Sequence, residues 1–212
     1  MMIVTSVSGN LEEARKEAKR ALSMGSDIVE FRMDLIWDSP PDLERVRDLI
    51  EGMEGRTLLT WRTERHGGRG SEPSHEYLES LARISRLVDV EFELAMRGLR
   101  IANAIYSWHD PSGTPDMDVL LRISNRLLSA GGLAKVVTLA MDELEAYRVL
   151  NLYKRVDHRG RLVAFSMGEK ASFSRRMAAL LGSPLIYSFL GEAAAPGQLT
   201  LKEALLIKEL LS

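Results

Sequence analysis

The sequence predicts an α/β fold, a single compact (β/α)8 TIM-barrel domain over residues 1–212, from three observations. Short apolar and β-branched runs alternate with longer stretches whose apolar residues recur at the helical period. Such alternation is typical of parallel strands joined by helical crossovers. About eight units are present, and no linker divides them. A closed barrel is therefore favoured, while an open parallel sheet stays as the alternative because periodicity cannot show closure.

Each predicted strand is a short apolar run bounded by polar or glycine-containing segments. The strands are predicted at residues 2–7, 27–33, 57–62, 89–94, 103–109, 134–140, 162–167 and 184–189. The helices are predicted at residues 11–24, 42–51, 74–87, 116–130, 142–156, 172–181 and 200–211. The crossover near residues 95–101 is short and only weakly helical. Thr200, followed three residues later by Glu203, predicts a capping box at the start of the last helix.

Composition excludes several classes of protein. With 45% hydrophobic and 27% charged residues, the chain has an ordinary globular composition. The net charge of −2 provides no basic surface for nucleic acid. The absence of cysteine excludes disulfides, thiolate nucleophiles and cysteine-based metal sites. Charged residues begin too early for a secretory segment, and no apolar run approaches the roughly 18–20 residues of a membrane span. We therefore expect a cytoplasmic protein with no membrane partner.

Charged residues interrupt the apolar strands with a period of two. Glu30 and Arg32 share one face of the second predicted strand, and Asp89, Glu91 and Glu93 share one face of the fourth. Because alternate residues of a strand point to opposite faces, we expect the charged faces to point into the barrel. A structural ion-pair network is the alternative for any one of them. As a set they indicate a site towards the carboxyl ends of the strands.

Lys135 and His109 are the strongest catalytic candidates. Every other lysine falls in a predicted helix or polar loop, whereas Lys135 lies in an apolar strand. A lone strand lysine is more often an edge or snorkelling residue. A closed barrel has no edge, however, and burial lowers an amine's pKa as an imine-forming nucleophile requires. His109 ends the fifth strand, where a general acid or base would stand. No His-x-His or HExxH spacing is present, so no metal site is expected.

Seven motifs in order along nearly the whole chain resemble those of the type I 3-dehydroquinate dehydratases. They are Glu30-Phe-Arg32-Met-Asp34, Thr60-Trp-Arg62 followed by Gly67-Gly68, Asp89-Val-Glu91, Ser107-Trp-His109-Asp110, Lys135, Ser166-Met-Gly168 with Ser174-Arg175, and Pro196-Gly197-Gln198. The resemblance implies a (β/α)8 barrel and a lyase that dehydrates 3-dehydroquinate to 3-dehydroshikimate in the shikimate pathway, which supplies aromatic amino acids. It also implies that no cofactor is needed, and it suggests a homodimer.

The resemblance further implies a role for each matching residue. Lys135 would condense with the C3 ketone of the substrate, and the resulting iminium would accept electrons from C2. His109 would remove the C2 proton and protonate the departing C1 hydroxyl. Arg175 would bind the substrate carboxylate with its planar guanidinium. The residues implied to surround the other polar groups of the substrate are Glu30, Arg32, Arg62 and Gln198.

Three positions depart from the family pattern. His66 stands where the family has a glutamate that orients the catalytic histidine, Ala194 stands where a serine is expected, and Ala171 replaces a glycine. We expect Glu64 to supply the missing carboxylate beside His109. The alternative is a reorganised loop in which no acid orients His109.

Two other functions fit part of the pattern. One is a different Schiff-base barrel enzyme, such as a class I aldolase, although Arg175 suits a carboxylate better than the phosphate that many aldolases bind. The other is a non-catalytic sensor of quinate-like ligands, which the changes at His66 and Ala194 would permit. The intact pair of Lys135 and His109 favours the lyase.

Overall fold

The computed structural model describes residues 1–191 and 197–211, and its strands form one parallel sheet. The strands are β1 Met2–Val7, β2 Ile28–Arg32, β3 Thr57–Thr60, β4 Leu87–Glu91, β5 Ala104–Asp110, β6 Leu133–Leu139, β7 Leu162–Met167, β8 Leu185–Phe189 and the short β9 Leu199–Thr200. Their order across the sheet is β7-β6-β5-β4-β3-β2-β1-β8-β9. The strands from β1 to β7 are therefore neighbours in sequential order, as a barrel built from successive βα units requires.

Helices connect the strands and cover the outer face of the sheet. They are α1 Leu11–Ser23, α2 Met33–Ile36, α3 Leu43–Ile50, α4 His75–Ile84, α5 Phe92–Met96, α6 Met117–Ser129, α7 Glu143–Leu150, α8 Leu152–Arg155, α9 Phe173–Leu180 and α10 Leu201–Leu210. Short 3₁₀ helices lie at Glu54–Arg56, Glu64–His66 and Glu169–Ala171. The capping box predicted at Thr200 is present, because its hydroxyl accepts from the Glu203 amide and the Glu203 carboxylate accepts from the Thr200 amide.

The sheet curls into a barrel with a seam between β7 and β8. Among the described residues these two strands share no hydrogen-bonded ladder. Side chains bridge the seam instead, since the rings of Phe165 and Tyr187 lie 6.2 Å apart between centroids. Helix α9 packs against both strands from outside. The predicted α/β barrel class is confirmed, with this seam closed by side-chain packing.

The two faces of the strands differ as the period-two pattern predicts. On β2, Val29 and Phe31 are completely buried against the helices, whereas Glu30 points into the barrel. Burying a side chain the size of Phe31 stabilises the fold by about 1.5–3 kcal/mol. Helix α1 presents Ala14 and Ala18 to β1 and β2, and these small side chains allow close packing of helix on sheet.

Several element boundaries differ from the predictions, most importantly in the fourth unit. The predicted strand at residues 89–94 begins instead at Leu87 and ends at Glu91, where α5 starts. Glu93 therefore lies on a helix at the rim, and its predicted place inside the barrel is wrong. The predicted helix at residues 142–156 is divided at Asn151 into α7 and α8. Within the described part of the chain, no helix has the length and apolar character needed to cross a membrane.

Candidate active site

A cavity of about 270 Å³ opens at the carboxyl ends of the strands, inside the barrel. Charged and aromatic side chains form most of its wall. The lining residues are Ser6, Glu30, Arg32, Arg62, His66, Gly67, His109, Pro111, Lys135, Val137, Phe165, Met167, Arg175, Tyr187 and Gln198. All seven residues predicted for the site are among them, because each faces the interior from within a strand or follows a strand at its carboxyl end.

Lys135 lies inside the barrel on β6 and is only 5% exposed. Its Nζ is 3.9 Å from Glu30 Oε1 and 3.9 Å from Asp89 Oδ2, and it stands 4.1 Å above the centre of the Tyr187 ring. Burial lowers the pKa of the amine below its ordinary value, although the two carboxylates act in the opposite direction. The neighbouring carboxylates favour the protonated amine, whereas burial favours the neutral amine. The net result is a lowered pKa, which makes deprotonation easier.

Hydrogen bonds fix the two carboxylates beside the lysine. Glu30 accepts from Ser6 Oγ at 2.5 Å and from Thr60 Oγ1 at 2.8 Å. Asp89 accepts from Ser107 Oγ at 2.5 Å. Burial alone would raise the pKa of Asp89, but Arg62 and Lys135 hold it below its ordinary value. Asp89 therefore carries its negative charge into the barrel interior.

Arg62 lies two residues after the end of β3 and is the cation of a buried network. Its guanidinium contacts Asp89 Oδ2 at 2.8 Å and Glu91 Oε1 at 3.1 Å, and it donates to Ser107 Oγ at 2.9 Å. Burial disfavours its charge, but Asp89 and Glu91 raise the pKa of Arg62 above its ordinary value. Arg62 is therefore largely a member of a structural ion-pair network, the alternative considered for the charged strand residues, although its side chain also lines the cavity.

Arg32 is held at the rim by a two-point contact with Asp34. Its Nε and Nη2 donate to the Asp34 carboxylate at 2.9 and 2.8 Å. Asp34 lies on α2, and it also accepts from the backbone amides of Arg62 and Arg69 at 3.3 and 3.2 Å. One carboxylate therefore connects the end of β2 with the loop that follows β3.

His109 lies near the end of β5, and its ring enters the cavity without a side-chain partner. Its Nδ1 is buried and makes no hydrogen bond within the described residues. Burial, with the positive charges of Arg62 and Lys135, holds the pKa of the His109 ring well below its ordinary value of 6.5. A neutral imidazole is a base, so His109 is in the protonation state that proton removal requires.

The expectation that Glu64 orients His109 is wrong. Glu64 is exposed, and within the described residues it forms no hydrogen bond or ion pair with His109. Glu64 and His66 belong to the same short 3₁₀ turn, in which residues two apart point to different sides. The turn directs Glu64 to solvent and His66 inwards. It ends at Gly67, whose φ of +80° suits glycine, and a Cβ at Gly68 would overlap the backbone of Arg62.

The carboxylate near this loop comes from Glu93, a residue that the sequence analysis did not place there. Glu93 Oε2 lies 2.8 Å from His66 Nε2. On the opposite edge of the ring, His66 Nδ1 lies 3.0 Å from both the backbone nitrogen and the carbonyl oxygen of His109. The signal that predicts this position is the helix-favouring Phe-Glu-Leu-Ala-Met run over residues 92–96, which ends the strand before Glu93.

Arg175 lies at the start of α9 and is buried without an anionic partner among the described residues. Its guanidinium stacks over the Phe165 ring at 4.3 Å from the centroid, and its Nε makes no hydrogen bond there. Burial lowers the pKa of Arg175 to about 10, so the group is still a cation at neutral pH. A buried cation of this kind is suited to bind an anionic group of a ligand.

Of the remaining predicted positions, Gln198 follows β8 and Ala171 follows β7. Gln198 Nε2 donates to the backbone oxygen of Ser188 at 3.1 Å and to Ser6 Oγ at 3.4 Å. Ala194 lies outside the described residues. Ala171 is completely buried and packs in a small apolar cluster with Ala140 and Ala146, so its methyl group contributes to the packing of this cluster.

Only one described group of side chains has donor atoms close enough for a metal ion: His66, Glu91 and Glu93, within 4.8 Å of one another. These donors already have partners. His66 and Glu93 bind each other, while Glu91 accepts from the amide of Thr63 at 2.9 Å and from its hydroxyl at 2.7 Å. The expectation of a metal-independent site stays a prediction.

Comparison with known proteins fits this geometry. The chain matches the type I 3-dehydroquinase family over residues 2–211. It belongs to this family. The 3-dehydroquinate dehydratase of Methanopyrus kandleri is 31% identical over 218 residues, covering 100% of both chains. That of Pyrobaculum aerophilum is 37% identical over 196 residues, covering 87% of this chain and 64% of the relative.

A crystal structure supports the same assignment. The 3-dehydroquinate dehydratase of Aquifex aeolicus superimposes with a TM-score of 0.83 at 26% identity, covering 99% of this chain and 98% of the other. Membership of the type I family confirms the predicted resemblance and the predicted enzyme class. It argues against the aldolase alternative. The roles of the individual side chains stay predictions.

Proposed function

We propose that this chain dehydrates 3-dehydroquinate to 3-dehydroshikimate through an imine on Lys135, with His109 as base and acid. The observation that carries this proposal is the position of Lys135. A single buried amine with a lowered pKa lies between two carboxylates, in the same cavity as a neutral histidine. Family membership supplies the substrate and the reaction, and the cavity supplies side chains suited to each step.

The first step is attack of the neutral Lys135 Nζ on the C3 ketone. Loss of the ketone oxygen as water, with one proton taken up from solvent and given back when the imine is hydrolysed, leaves a protonated imine. Its positive charge is shared with the former ketone carbon. The Glu30 and Asp89 carboxylates at 3.9 Å and the face of the Tyr187 ring stabilise this charge. The lysine environment therefore serves both the neutral nucleophile and the cationic intermediate.

The second step is the elimination. His109 removes the C2 proton, and the electron pair moves into the iminium to form an enamine. The enamine then expels the C1 hydroxyl, which leaves as water with the proton carried by His109. Hydrolysis of the resulting imine releases the product and returns Lys135 to the amine. Each proton that His109 accepts is returned, so the cycle needs no metal or cofactor.

Substrate binding falls to the arginines and their neighbours. The buried Arg175 cation is stacked on Phe165, its Nε is bonded by none of the described residues, and it suits the substrate carboxylate. Glu30, Arg32 and Arg62 line the wall facing the hydroxyls and the ketone, and Gln198 follows β8 on the same rim. We further propose that the enzyme acts in the cytoplasm as a homodimer, with this small molecule rather than nucleic acid as its partner.

The experiment is a turnover assay in which formation of the conjugated product from 3-dehydroquinate is followed by its ultraviolet absorbance. We expect turnover that is unchanged after EDTA treatment, because the proposed steps use side chains alone. Binding of 3-dehydroquinate without turnover would instead support the sensor. Loss of activity in EDTA that zinc or magnesium restores would contradict the metal-independent reaction.

A further inference from the structure

His66 is bonded at both edges of its ring in a way that connects Glu93 to the backbone of His109. The imidazole is 4% exposed, with Nε2 at 2.8 Å from Glu93 Oε2. Nδ1 lies 3.0 Å from both the backbone nitrogen and the carbonyl oxygen of His109. The rings of His66 and His109 stand edge to face with centroids 6.1 Å apart. The hydrogen bond of His66 therefore joins the backbone of His109, the proposed base, and not its imidazole ring.

The protonation of Glu93 sets the direction of these hydrogen bonds. Partial burial alone would raise the pKa of Glu93, but the hydrogen bond with His66 and the bond to its own backbone amide lower it to about 2. An ionised carboxylate can only accept, so His66 Nε2 carries the hydrogen. In the neutral ring Nδ1 then has the lone pair, so its partner is the His109 N–H and not the carbonyl oxygen at the same distance.

Neighbouring groups do not compete for the Nε2 hydrogen. Glu91 Oε2 lies 3.9 Å from Nε2, beyond hydrogen-bond range, and both Glu91 oxygens already accept from Thr63. Arg65 approaches the other oxygen of Glu93 at 3.5 Å from the solvent side. Glu93 is thus the acceptor that fixes the His66 tautomer.

The backbone N–H of His109 lies beyond the end of the ladder between β4 and β5, so it needs a partner from outside the sheet. The ladder between β4 and β5 ends at the pair Glu91 and Ser107, two residues before His109. On the other side, β5 stays paired with β6 as far as Asp110. His66 therefore replaces the missing strand partner at the end of β5. Since His109 Nδ1 has no described partner, the backbone is what determines where its ring lies.

We infer that Glu93 and His66 act as a positioning pair for His109. Glu93 fixes His66 as the tautomer whose Nδ1 accepts from the His109 amide, and this bond holds the end of β5 so that the base meets the C2 proton. The catalytic consequence rests on the proposed function, while the tautomer and the hydrogen bond do not. Neither residue touches the reacting atoms, so the pair affects proton removal more than substrate binding.

Two substitutions of His66 separate the acceptor from the rest of the ring. In His66→Asn, the amide oxygen occupies the place of Nδ1 and can still accept from the His109 N–H. In His66→Leu, no acceptor remains. Displacing a reacting group by about 1 Å can lower a rate by about 100-fold. We expect kcat to fall by about 10- to 100-fold in His66→Leu and by less than about 10-fold in His66→Asn, with KM within about 2-fold of the parent in both.

Two substitutions of glutamate test the source of the tautomer. Glu93→Gln removes the charge that requires a hydrogen on Nε2, whereas Glu64→Gln removes a carboxylate exposed on the same rim and serves as the matched control. Nitrogen-15 NMR of the histidine rings should show His66 as the Nε2–H tautomer in the parent and in Glu64→Gln. In Glu93→Gln the Nδ1–H form should appear, and kcat should fall by about 3- to 10-fold.

The isotope effect on kcat with substrate deuterated at C2 separates positioning from general destabilisation. It should increase in His66→Leu and Glu93→Gln, because proton removal becomes slower while imine formation on Lys135 does not. Equal kcat in His66→Asn and His66→Leu, or an unchanged His66 tautomer in Glu93→Gln, would overturn the inference. The NMR measurement needs no substrate. A parent protein without turnover would therefore refute the proposed function while the tautomer result still decides the pair.

Discussion

The two sides of the cavity differ in how their positive charges are satisfied. On the side of β3 and β4, Arg62 is surrounded by Asp89, Glu91 and Ser107 at 2.8–3.1 Å. On the side of β7 and β8, Arg175 stacks on Phe165 and has no ion pair within the described residues. Both guanidinium groups are buried, so burial alone does not tell a structural arginine from one that binds a ligand. The presence or absence of a protein anion distinguishes them.

Lys135 lies between these two sides, and replacing it gives the largest expected effect. Lys135→Met keeps most of the volume and removes the nucleophile, so turnover should fall by about 10³-fold or more. Lys170→Met, at an exposed position in the 3₁₀ helix after β7, is the matched control and should retain full activity. Substantial turnover in Lys135→Met would contradict the assignment of Lys135 as the nucleophile between the two sides of the cavity.

Removing the base should be the next largest effect. His109→Ala should lower kcat by about 10²- to 10⁴-fold, the usual contribution of a general acid or base. The imine should still form on Lys135, only more slowly, because the amine and its carboxylates are unchanged. Accumulation of that imine is measured by mass spectrometry after reduction. Near-normal kcat in this variant would show that another group removes the C2 proton.

The two arginines should respond in opposite ways to the same change. Arg62→Met leaves Asp89 and Glu91 buried without their cation, which should reduce the free energy of unfolding by about 3–5 kcal/mol. Arg175→Met removes a buried cation that has no anionic partner among the described residues, so the ligand-free protein should be as stable as the parent or more stable. It should nevertheless lose about 10-fold or more in kcat/KM, the equivalent of one charged hydrogen bond of about 1.5–3 kcal/mol.

Urea unfolding in the absence of substrate measures the change in the free energy of unfolding, and steady-state kinetics measures the change in kcat/KM. If Arg175→Met destabilises the ligand-free protein as much as Arg62→Met does, then Arg175 is also a structural cation. In that case the carboxylate of the substrate binds elsewhere.

The pH dependence gives the smallest and most specific effect. The pKa of His109 is depressed in the folded protein, so the active neutral ring persists below pH 6.5 and is lost only as pH falls through the lowered value. An NMR titration of the ligand-free protein should therefore find the midpoint of the His109 ring below pH 6.5. Because Arg62 and Lys135 contribute to the depression, their positive charges shift this midpoint to lower pH. A midpoint at or above pH 6.5 would contradict the buried, cation-rich environment of the base.

The sequence predicts the interior of the barrel well because a strand has a side-chain period of two. The alternation that places Glu30 and Asp89 on the charged face is the same in the sequence and in the structure. His109 and Lys135 also lie where their strand positions indicate. Identifying their common cavity required only that the strands be parallel and consecutive.

The rim is less predictable, because tertiary structure decides where each strand stops. Glu93 continues the spacing of Asp89 and Glu91, so the pattern assigns it to the same face. The strand ends at Glu91, however, and the helix that follows turns Glu93 towards His66. The turn at Glu64–His66 is a second example, since its sequence offers two candidate side chains and only the backbone conformation selects His66.

The most direct test of the account is borohydride reduction of the enzyme in the presence of 3-dehydroquinate, followed by peptide mapping. We expect one equivalent of reduced ligand per chain, attached to Lys135, with the exposed Lys170 unmodified. The adduct should be absent from Lys135→Met and present in Lys170→Met. An adduct on any other lysine, or turnover without a trappable adduct, would contradict the central claim that the buried amine of β6 forms the imine.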